Sequence, residues 1–515
     1  MFFVSITCVV HGKDLNELDT NCNLVASIAR RYTCQLQCLT IQQEEGWRVT
    51  WPFGYHPHDM CVDRALTTES SSIFMPFRNQ ELFHSGGFYY GRNSISQNLV
   101  IVNRTAMKTP SGFILGSSGS GKSFAVKREM LNVFLDDDKT GILVIDPENE
   151  YSAICKCFGG TVIKISADSD FYINPMDMIE DYGLDEDDDP LTTPLSTKKE
   201  KALKKKSDYI LSIIERMISM GGSDTASMIT PSQKTIVDRC VRKAYAEYLD
   251  HDFDQNYLPT LLDLQDALDE EGELSVDAHY VAEGVEYFTR GSMDVFSHKT
   301  NVDVNNRFVV FNVRDLGEQL RQIALIIVFD FIWNRMVENK NKGVRTYCYC
   351  DEIHVMFKSY YSADYLKQLY KRGRKYGLVI TGITQDIEDL LQSEQARGML
   401  SNSDFIMMLN QKPENLRVLA GMLNISESQM GYVTNADSGN GLLFAENTLV
   451  PFEDKFPEES YLYKLLSTKF GEGEESDKEM AEYVEKIIAS SNFVAQRTDK
   501  EIEDEIKDKY GVKAS

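Results

Sequence analysis

Hydrophobic and polar positions divide the chain into stretches of different period. Residues 2–11 alternate closely enough for a strand, residues 13–31 carry apolar side chains at helical spacing, and residues 34–41 and 47–51 return to strand character. This pattern predicts a β-α-β-β segment of an α+β domain. Residues 57–100 are mixed, with Gly86-Gly87 and Gly91 read as turns. From Leu99 the pattern changes. Leu99-Val100-Ile101-Val102, Gly112-Phe113-Ile114-Leu115 and Gly141-Ile142-Leu143-Val144-Ile145 are short apolar runs, and a helical stretch follows Lys122. Such runs, separated by helices, predict a parallel sheet buried on both faces. The sheet is expected to resume at residues 308–311, 346–350, 378–381, 405–409 and 441–444, with a helix over 318–338. Residues 207–290 are helical in pattern, with breaks at Gly221-Gly222 and Pro259, which places a helical insertion over residues 195–300 between core strands. The expected architecture is α/β in three parts. Residues 1–85 are the end of an α+β domain, 86–455 a mainly parallel sheet with an inserted all-α subdomain, and 456–515 a charged helical tail.

Charge alters the picture locally. Residues 168–190 hold ten Asp or Glu and no Lys or Arg, and are expected to form a solvated loop. Residues 198–206 hold six lysines, read as a solvated helix start in preference to a DNA-binding patch. The formal net charge of −25 argues against a protein that coats DNA through its general surface, while leaving room for a small basic lining inside a channel. Of the ten cysteines, no CxxC pair faces a second CxxC or a His pair, so reduced core thiols and a cytosolic location are expected instead of zinc. The longest apolar stretch, Ile323 to Phe329, is broken by Asp330. It falls short of the about 20 residues that span a bilayer. The opening Met-Phe-Phe-Val-Ser-Ile-Thr-Cys lacks a basic n-region, and reads as a strand, as if the chain begins inside a domain.

Candidate chemistry is concentrated at strand ends. Gly116-Ser117-Ser118-Gly119-Ser120-Gly121-Lys122-Ser123, followed by Phe124, is a G-x-x-x-x-G-K-S loop between an apolar strand and a helix. Its glycines let backbone N–H groups wrap the β- and γ-phosphates of ATP, and the helix N-terminus adds positive potential. Lys122 would neutralise phosphate charge, and Ser123 would offer its hydroxyl to Mg²⁺. Such a loop needs a second metal-shell carboxylate and a base. Tyr347-Cys348-Tyr349-Cys350-Asp351-Glu352 is an apolar strand ending in two acids. Asp351 would hold the Mg²⁺ shell and Glu352 would polarise the attacking water, a pairing that favours hydrolysis. Asp146-Pro147-Glu148 also ends a strand, and is read as a sheet-edge neighbour of the nucleotide site. Gln385, at the end of the strand beside Asp351, is placed to sense the γ-phosphate. Arg372 or Arg374 could act in trans as an arginine finger. His354 is read as structural.

These pieces, in this order, resemble the VirB-four/TraC/TrsE class of ATPases, within the HerA–FtsK branch of RecA-like P-loop motors. The resemblance rests on residues 86–91 (Gly-Gly-Phe-Tyr-Tyr-Gly), Gly121-Lys122-Ser123-Phe124, Ile145-Asp146-Pro147-Glu148-Asn149-Glu150-Tyr151 and Ile173-Asn174-Pro175-Met176. It continues through Asp351-Glu352, Arg374-Lys375-Tyr376-Gly377-Leu378 with Thr384-Gln385, Leu400-Ser401-Asn402-Ser403 and Gly439-Asn440-Gly441-Leu442-Leu443. Ile353-His354 departs from the small or aromatic residues common there. The likeness covers roughly residues 85–455 and leaves most of that family's N-terminal domain absent. It implies a RecA-like core that hydrolyses ATP with Mg²⁺ in an oligomer, taken as a hexamer. The oligomer would sit at the cytoplasmic face of a membrane-embedded type IV secretion or conjugation channel and contact the membrane through partners. The alternative is a HerA/FtsK-like translocase or coupling-type ATPase acting directly on DNA. A scaffold that binds ATP only for assembly would have no need of the Asp351-Glu352 pair.

Overall fold

The computed structural model describes residues 2–4, 6–51, 64–72, 79–166, 168–184, 188, 191–219, 229–303, 305–358, 360–434 and 436–467. The chain forms two compact units, Met1–Asn79 and Gln80–Ser515.

The first unit holds β1 (Phe2–Val4), α1 (Leu15–Arg31), α2 (Gln43–Val49), β2 (Arg64–Leu66) and α3 (Thr68–Ser72), with β1 and β2 paired antiparallel. The helix expected over 13–31 is present. The strands expected over 34–41 and 47–51 are not: residues 33–42 form no strand and Gln43–Val49 is helical. Two acids in the first turn of α2, Glu44 and Glu45, complement the helix dipole, and Arg48 pairs with Glu44 one turn back. Those local terms outweigh the short alternation of Trp47, Val49 and Trp51. Of the strand expected over 2–11, Phe2–Val4 is extended in a sheet.

The second unit is built on an eleven-stranded sheet. Its elements in order are β3 (Phe88–Asn93), β4 (Leu99–Val102), β5 (Gly112–Leu115), α4 (Lys122–Asp136), β6 (Gly141–Asp146), α5 (Ser152–Cys157), β7 (Thr161–Lys164), α6 (Leu195–Ser219), α7 (Pro231–Ala244), α8 (Ala246–Asp250), α9 (Leu261–Gly272), α10 (Val276–Thr289), β8 (Phe308–Asn312), α11 (Glu318–Asn341), β9 (Thr346–Cys350), α12 (Tyr360–Arg372), β10 (Leu378–Thr384), α13 (Ile387–Gln392), α14 (Glu394–Ser401), β11 (Phe405–Leu409), α15 (Pro413–Leu423), α16 (Glu427–Met430), β12 (Asn440–Ala445), β13 (Thr448–Glu453) and α17 (Tyr461–Leu466). The strand order is β4-β3-β13-β12-β11-β5-β10-β9-β6-β8-β7. From β11 to β7 all neighbours are parallel. From β11 to β4 they are antiparallel. Every residue of β5, β6, β8, β9, β10 and β11 is buried, as continuous apolar runs covered on both faces require.

The period of two sorts side chains between two cores. Phe113, Leu115, Cys348 and Cys350 belong to the core shared with the helical insertion. Ile114, Tyr347 and Tyr349 belong to the core under α4 and α5. The insertion, α6 to α10, leaves after β7 and returns at β8, near the far edge of the sheet.

Three further expectations change. Gly86 lies in a turn as expected, but Gly91, also read as a turn, lies within β3, where the register shifts between Tyr89 and Gly91. Asp146, read as a sheet-edge residue, ends β6, an interior strand between β9 and β8, and is fully buried. The lysines of 198–206 are not simply solvated: Lys198 is 7% and Lys206 0% exposed. Lys198 pairs with Glu180 and Asp181, Lys199 with Asp252, Lys201 with Asp188 and Lys206 with Asp330. The expected break at Gly221-Gly222 and the acidic tail beyond residue 467 lie outside the described residues. Among the described residues no helix is long and apolar enough to cross a membrane.

Candidate functional site

Parallel strands point their C-terminal ends to one edge of the sheet, and loops leaving that edge build the site. The loop after β5 is tied to its neighbours on both sides. Gly116 N–H donates to the Thr384 carbonyl at the end of β10 (3.3 Å), and Ser117 N–H donates to the Asn410 carbonyl just past β11 (2.8 Å). Gly439 N–H, before β12, donates to the Ser120 carbonyl (3.2 Å). A Cβ on Gly116 would lie 2.4 Å from Ser120 Oγ. Gly121 precedes α4 at φ +94°, which only glycine adopts without strain.

Lys122 opens α4, with Ser123 and Phe124 next on the helix. Its ammonium donates to the Ser117 carbonyl (3.2 Å), so it folds back over the loop it belongs to. Burial lowers its pKa, partly offset by Glu352, Asp351 and Glu150.

Asp351 and Glu352 follow β9. Asp351 is 4% exposed, and burial together with Glu352, Glu150 and Asp146 holds its carboxyl well above the usual carboxylate range. Glu352 sits at φ +44°, in the left-handed region, and its N–H donates to Asp351 Oδ1 (3.0 Å). Its Oε2 is buried without a well-formed hydrogen bond. That oxygen lies 3.1 Å from His354 Nδ1, which in turn lies 2.9 Å from Thr384 Oγ1. Asp146 has a different task. Its two oxygens accept the N–H groups of Glu150 (3.0 Å) and Tyr151 (2.9 Å), closing the turn after β6.

One cavity of about 680 Å³ gathers these groups. Ser118, Gly119, Gly121, Lys122, Ser123, Phe124, Asp351, Glu352 and Gln385 line it. Arg372 and Arg374 do not. They precede β10, at the opposite edge of the sheet from Gln385. At about 3.3 Å per residue, the strand between them spans roughly 20 Å.

Residues to which the sequence motifs assigned no role complete the cavity. Glu150 adds a further carboxylate and Arg128 a cation. Arg128 pairs with Asp454 and lies over the rings of Tyr89 and Phe456. Phe124 contacts Phe456 and Tyr463 edge-on or tilted, at 5.6 and 5.4 Å between centroids. Lys127, one turn beyond Lys122, is 2% exposed, and burial lowers its pKa to about 8 against the pull of Glu150, Asp146 and Asp351. The Arg128–Asp454 contact joins positions too far apart in the chain for a local motif to show. His354, two residues after Glu352, was read as structural, and no local motif shows its contact with Thr384.

The donor set fits a nucleotide-borne cation. Among the described residues no three His, Cys, Asp or Glu side chains form a preformed metal cage. Mg²⁺ characteristically uses one or two carboxylates plus substrate phosphates. Asp351, crowded by other carboxylates beside a P-loop, is suited to that role.

A family model described as the TraG P-loop domain matches residues 95–442. No curated protein sequence matches the chain. In fold it is similar to VirB4 of Thermoanaerobacter pseudethanolicus, with 21% identity, a TM-score of 0.60, and coverage of 73% of this chain and 98% of that one. It aligns more loosely with the plasmid coupling protein TrwB solved with ADP and Mg²⁺, at 14% identity and a TM-score of 0.44 over 77% of this chain and 94% of that one. The fold is the RecA-like P-loop fold, with a mostly parallel sheet.

Proposed function

Because the chain belongs to the family of the TraG P-loop domain, we propose that it is an ATPase that energises conjugative DNA transfer through a type IV secretion apparatus. The observation that carries this reading is the convergence of Lys122, Ser123, Asp351, Glu352 and Gln385 on one cavity at the C-terminal edge of the sheet. Within the loop of residues 116–124, Gly116 and Ser117 anchor the loop to its neighbouring strands, the backbone N–H groups that line the cavity between Ser118 and Phe124 cradle the ATP phosphates, and Lys122 leaves the Ser117 carbonyl to neutralise the γ-phosphate. Ser123 and Asp351 hold Mg²⁺, which when bound offsets charge on the β- and γ-oxygens. Glu352 orients and polarises the attacking water, and Gln385 reports the presence of the γ-phosphate to β10.

The active form is an oligomer, proposed as a hexamer. In it Arg372 or Arg374 of one subunit reaches the nucleotide of the next, since neither lines the cavity of its own subunit. The assembly works at the cytoplasmic face of the membrane and is held there by channel components. Ion pairing of Lys198, Lys199, Lys201 and Lys206 removes the most obvious basic patch, which favours energising the channel over direct action on DNA. The test is ATPase activity of the purified chain with Mg²⁺, with and without DNA, beside Glu352→Gln. Hydrolysis that Glu352→Gln lowers at least about 100-fold without weakening ATP binding supports the reading. Absence of hydrolysis in the unaltered chain sinks it, and strong stimulation by DNA favours a translocase.

A further inference from the structure

His354 occupies a position that the P-loop chemistry leaves unexplained. Its Nδ1 lies 3.1 Å from Glu352 Oε2 and 2.9 Å from Thr384 Oγ1, and its side chain is only 14% exposed. Both contacts fall on the same ring nitrogen. Nδ1 carries at most one proton, so it serves its two neighbours unequally. Nδ1 and the Thr384 hydroxyl are placed to share a hydrogen bond, whereas Glu352 Oε2 has none of good geometry among the described residues and is held beside Nδ1 at ion-pair distance.

Thr384 is itself a junction. Its carbonyl accepts from Gly116, the first residue of the P-loop (3.3 Å), and its hydroxyl accepts from Asp386 N–H (3.0 Å). Gln385 lies between those two anchors and lines the cavity. The backbone of Glu352 is held at φ +44°. Such a conformation costs about 1–3 kcal/mol in a non-glycine residue and persists where its surroundings fix it. The turn is fixed by Glu352 N–H on Asp351 Oδ1 and by Val355 N–H on the Glu352 carbonyl (2.9 Å). The side chain of Glu352 has only His354 as a comparable anchor among the described residues.

We propose that His354 is a positioning residue that links the base Glu352 to the end of β10. A change at Thr384-Gln385 when the γ-phosphate is present then alters where the Glu352 carboxylate points. This rests on the reading of Glu352 as the base. His354 does not line the cavity, and acts only by setting the orientation of the carboxylate.

The test uses the full chain with His354→Leu, His354→Asn and Glu352→Gln, assayed for kcat, KM and binding of Mg-ATP at one pH. Asparagine places an amide where Nδ1 stands, so it can restore the link, whereas leucine fills the space without it. His354→Leu is expected to lower kcat by about tenfold or more, a fraction of the about 10²–10⁴ that a positioned base supplies. KM and binding should stay within about twofold, and His354→Asn should return kcat to within about threefold of the unaltered chain. A leucine variant with undiminished kcat overturns the proposal while Glu352→Gln remains impaired. Equal losses in the leucine and asparagine variants, with binding weakened alike, overturn it in favour of a packing role. Hydrolysis that survives Glu352→Gln overturns the base assignment and this proposal with it.

Discussion

Lys127 sets burial against charge complementarity, and the structure says which dominates. Its side chain is 2% exposed, on the buried face of α4, with the ammonium 5.9 Å from the Tyr151 ring centre. Three acids pull its pKa up, but burial is the larger effect and lowers it from 10.5 to about 8. At about 1.4 kcal/mol per pH unit, that difference corresponds to about 3 kcal/mol. The sign follows from linkage. Below pH 8 the lysine is protonated folded or unfolded, and the full cost of burying its charge is present. Between pH 8 and 10.5 the folded state releases the proton while the unfolded state keeps it, so stability rises relative to a chain lacking the lysine. Lys127→Met should therefore raise the melting temperature at pH 7 by up to about 6 °C, taking about 2 °C per kcal/mol for a large domain. Its advantage should shrink from pH 8 and vanish by about 10.5. Thermal melts followed by near-ultraviolet circular dichroism, from pH 6 to 10.5 without nucleotide, measure this. A variant less stable than the parent at pH 7, by a margin that does not change to pH 10, refutes the reasoning. It would mean that Glu150, Asp146 and Asp351 hold the ammonium more strongly than burial opposes it.

Other outcomes follow from single contacts. Removing Arg372 or Arg374 should lower ATPase activity by as much as about 10³-fold if that residue is the finger. Mixing that variant with Lys122→Ala should restore part of the activity, because mixed neighbours rebuild complete sites; no recovery argues against action in trans. Lys206→Met should cost about 3–5 kcal/mol by leaving Asp330 buried without its cation. Asp330→Leu added to it should recover much of the loss in a chemical-denaturation series. Gly112→Ala should fail to fold or lose at least about 3 kcal/mol, because its Cβ would lie 2.0 Å from the Phe405 carbonyl oxygen on the neighbouring strand.

The central strands were legible because burial on both faces demands uninterrupted apolar runs, and residues 346–350 and 405–409 match β9 and β11 to the residue. The first unit was less legible. α1 has no buried residue and α2 buries only Gly46, so there is little packing to reinforce a weak pattern. The lysine run held a readable signal that charge obscured. Lys198, Ala202, Lys206, Tyr209 and Ile213 recur at spacings of four, four, three and four, and all are buried on one stripe of α6. Within the site, the P-loop and the acid pair are local motifs and could be read directly. The contact of His354 with Thr384 spans 30 positions, and that of Arg128 with Asp454 spans 326, so only the fold brings them together.

Strand order explains why the site tolerates so large an insertion. β10 lies between β5 and β9, so its end stands between the P-loop and the two acids. The parts that must agree on the state of the γ-phosphate are thus adjacent, and are joined through Thr384 to Gly116 on one side and to His354 on the other. The insertion departs from β7, four strands away from β10, and rejoins at β8. Nothing that contacts phosphate has to move to make room for it. It is nevertheless not a loose appendage. Lys206 of α6 donates to Asp330 of α11 (2.7 Å), and Tyr182 and Tyr365 donate to the other oxygen of the same carboxylate (2.5 and 3.1 Å). Tyr365 lies on α12, the helix that ends at Arg372 and leads into β10. The buried carboxylate therefore binds the insertion to the helix that carries the candidate finger. Any displacement of the insertion that breaks this cluster exposes a buried charge to a lost partner, so the insertion and α12 should move as one piece.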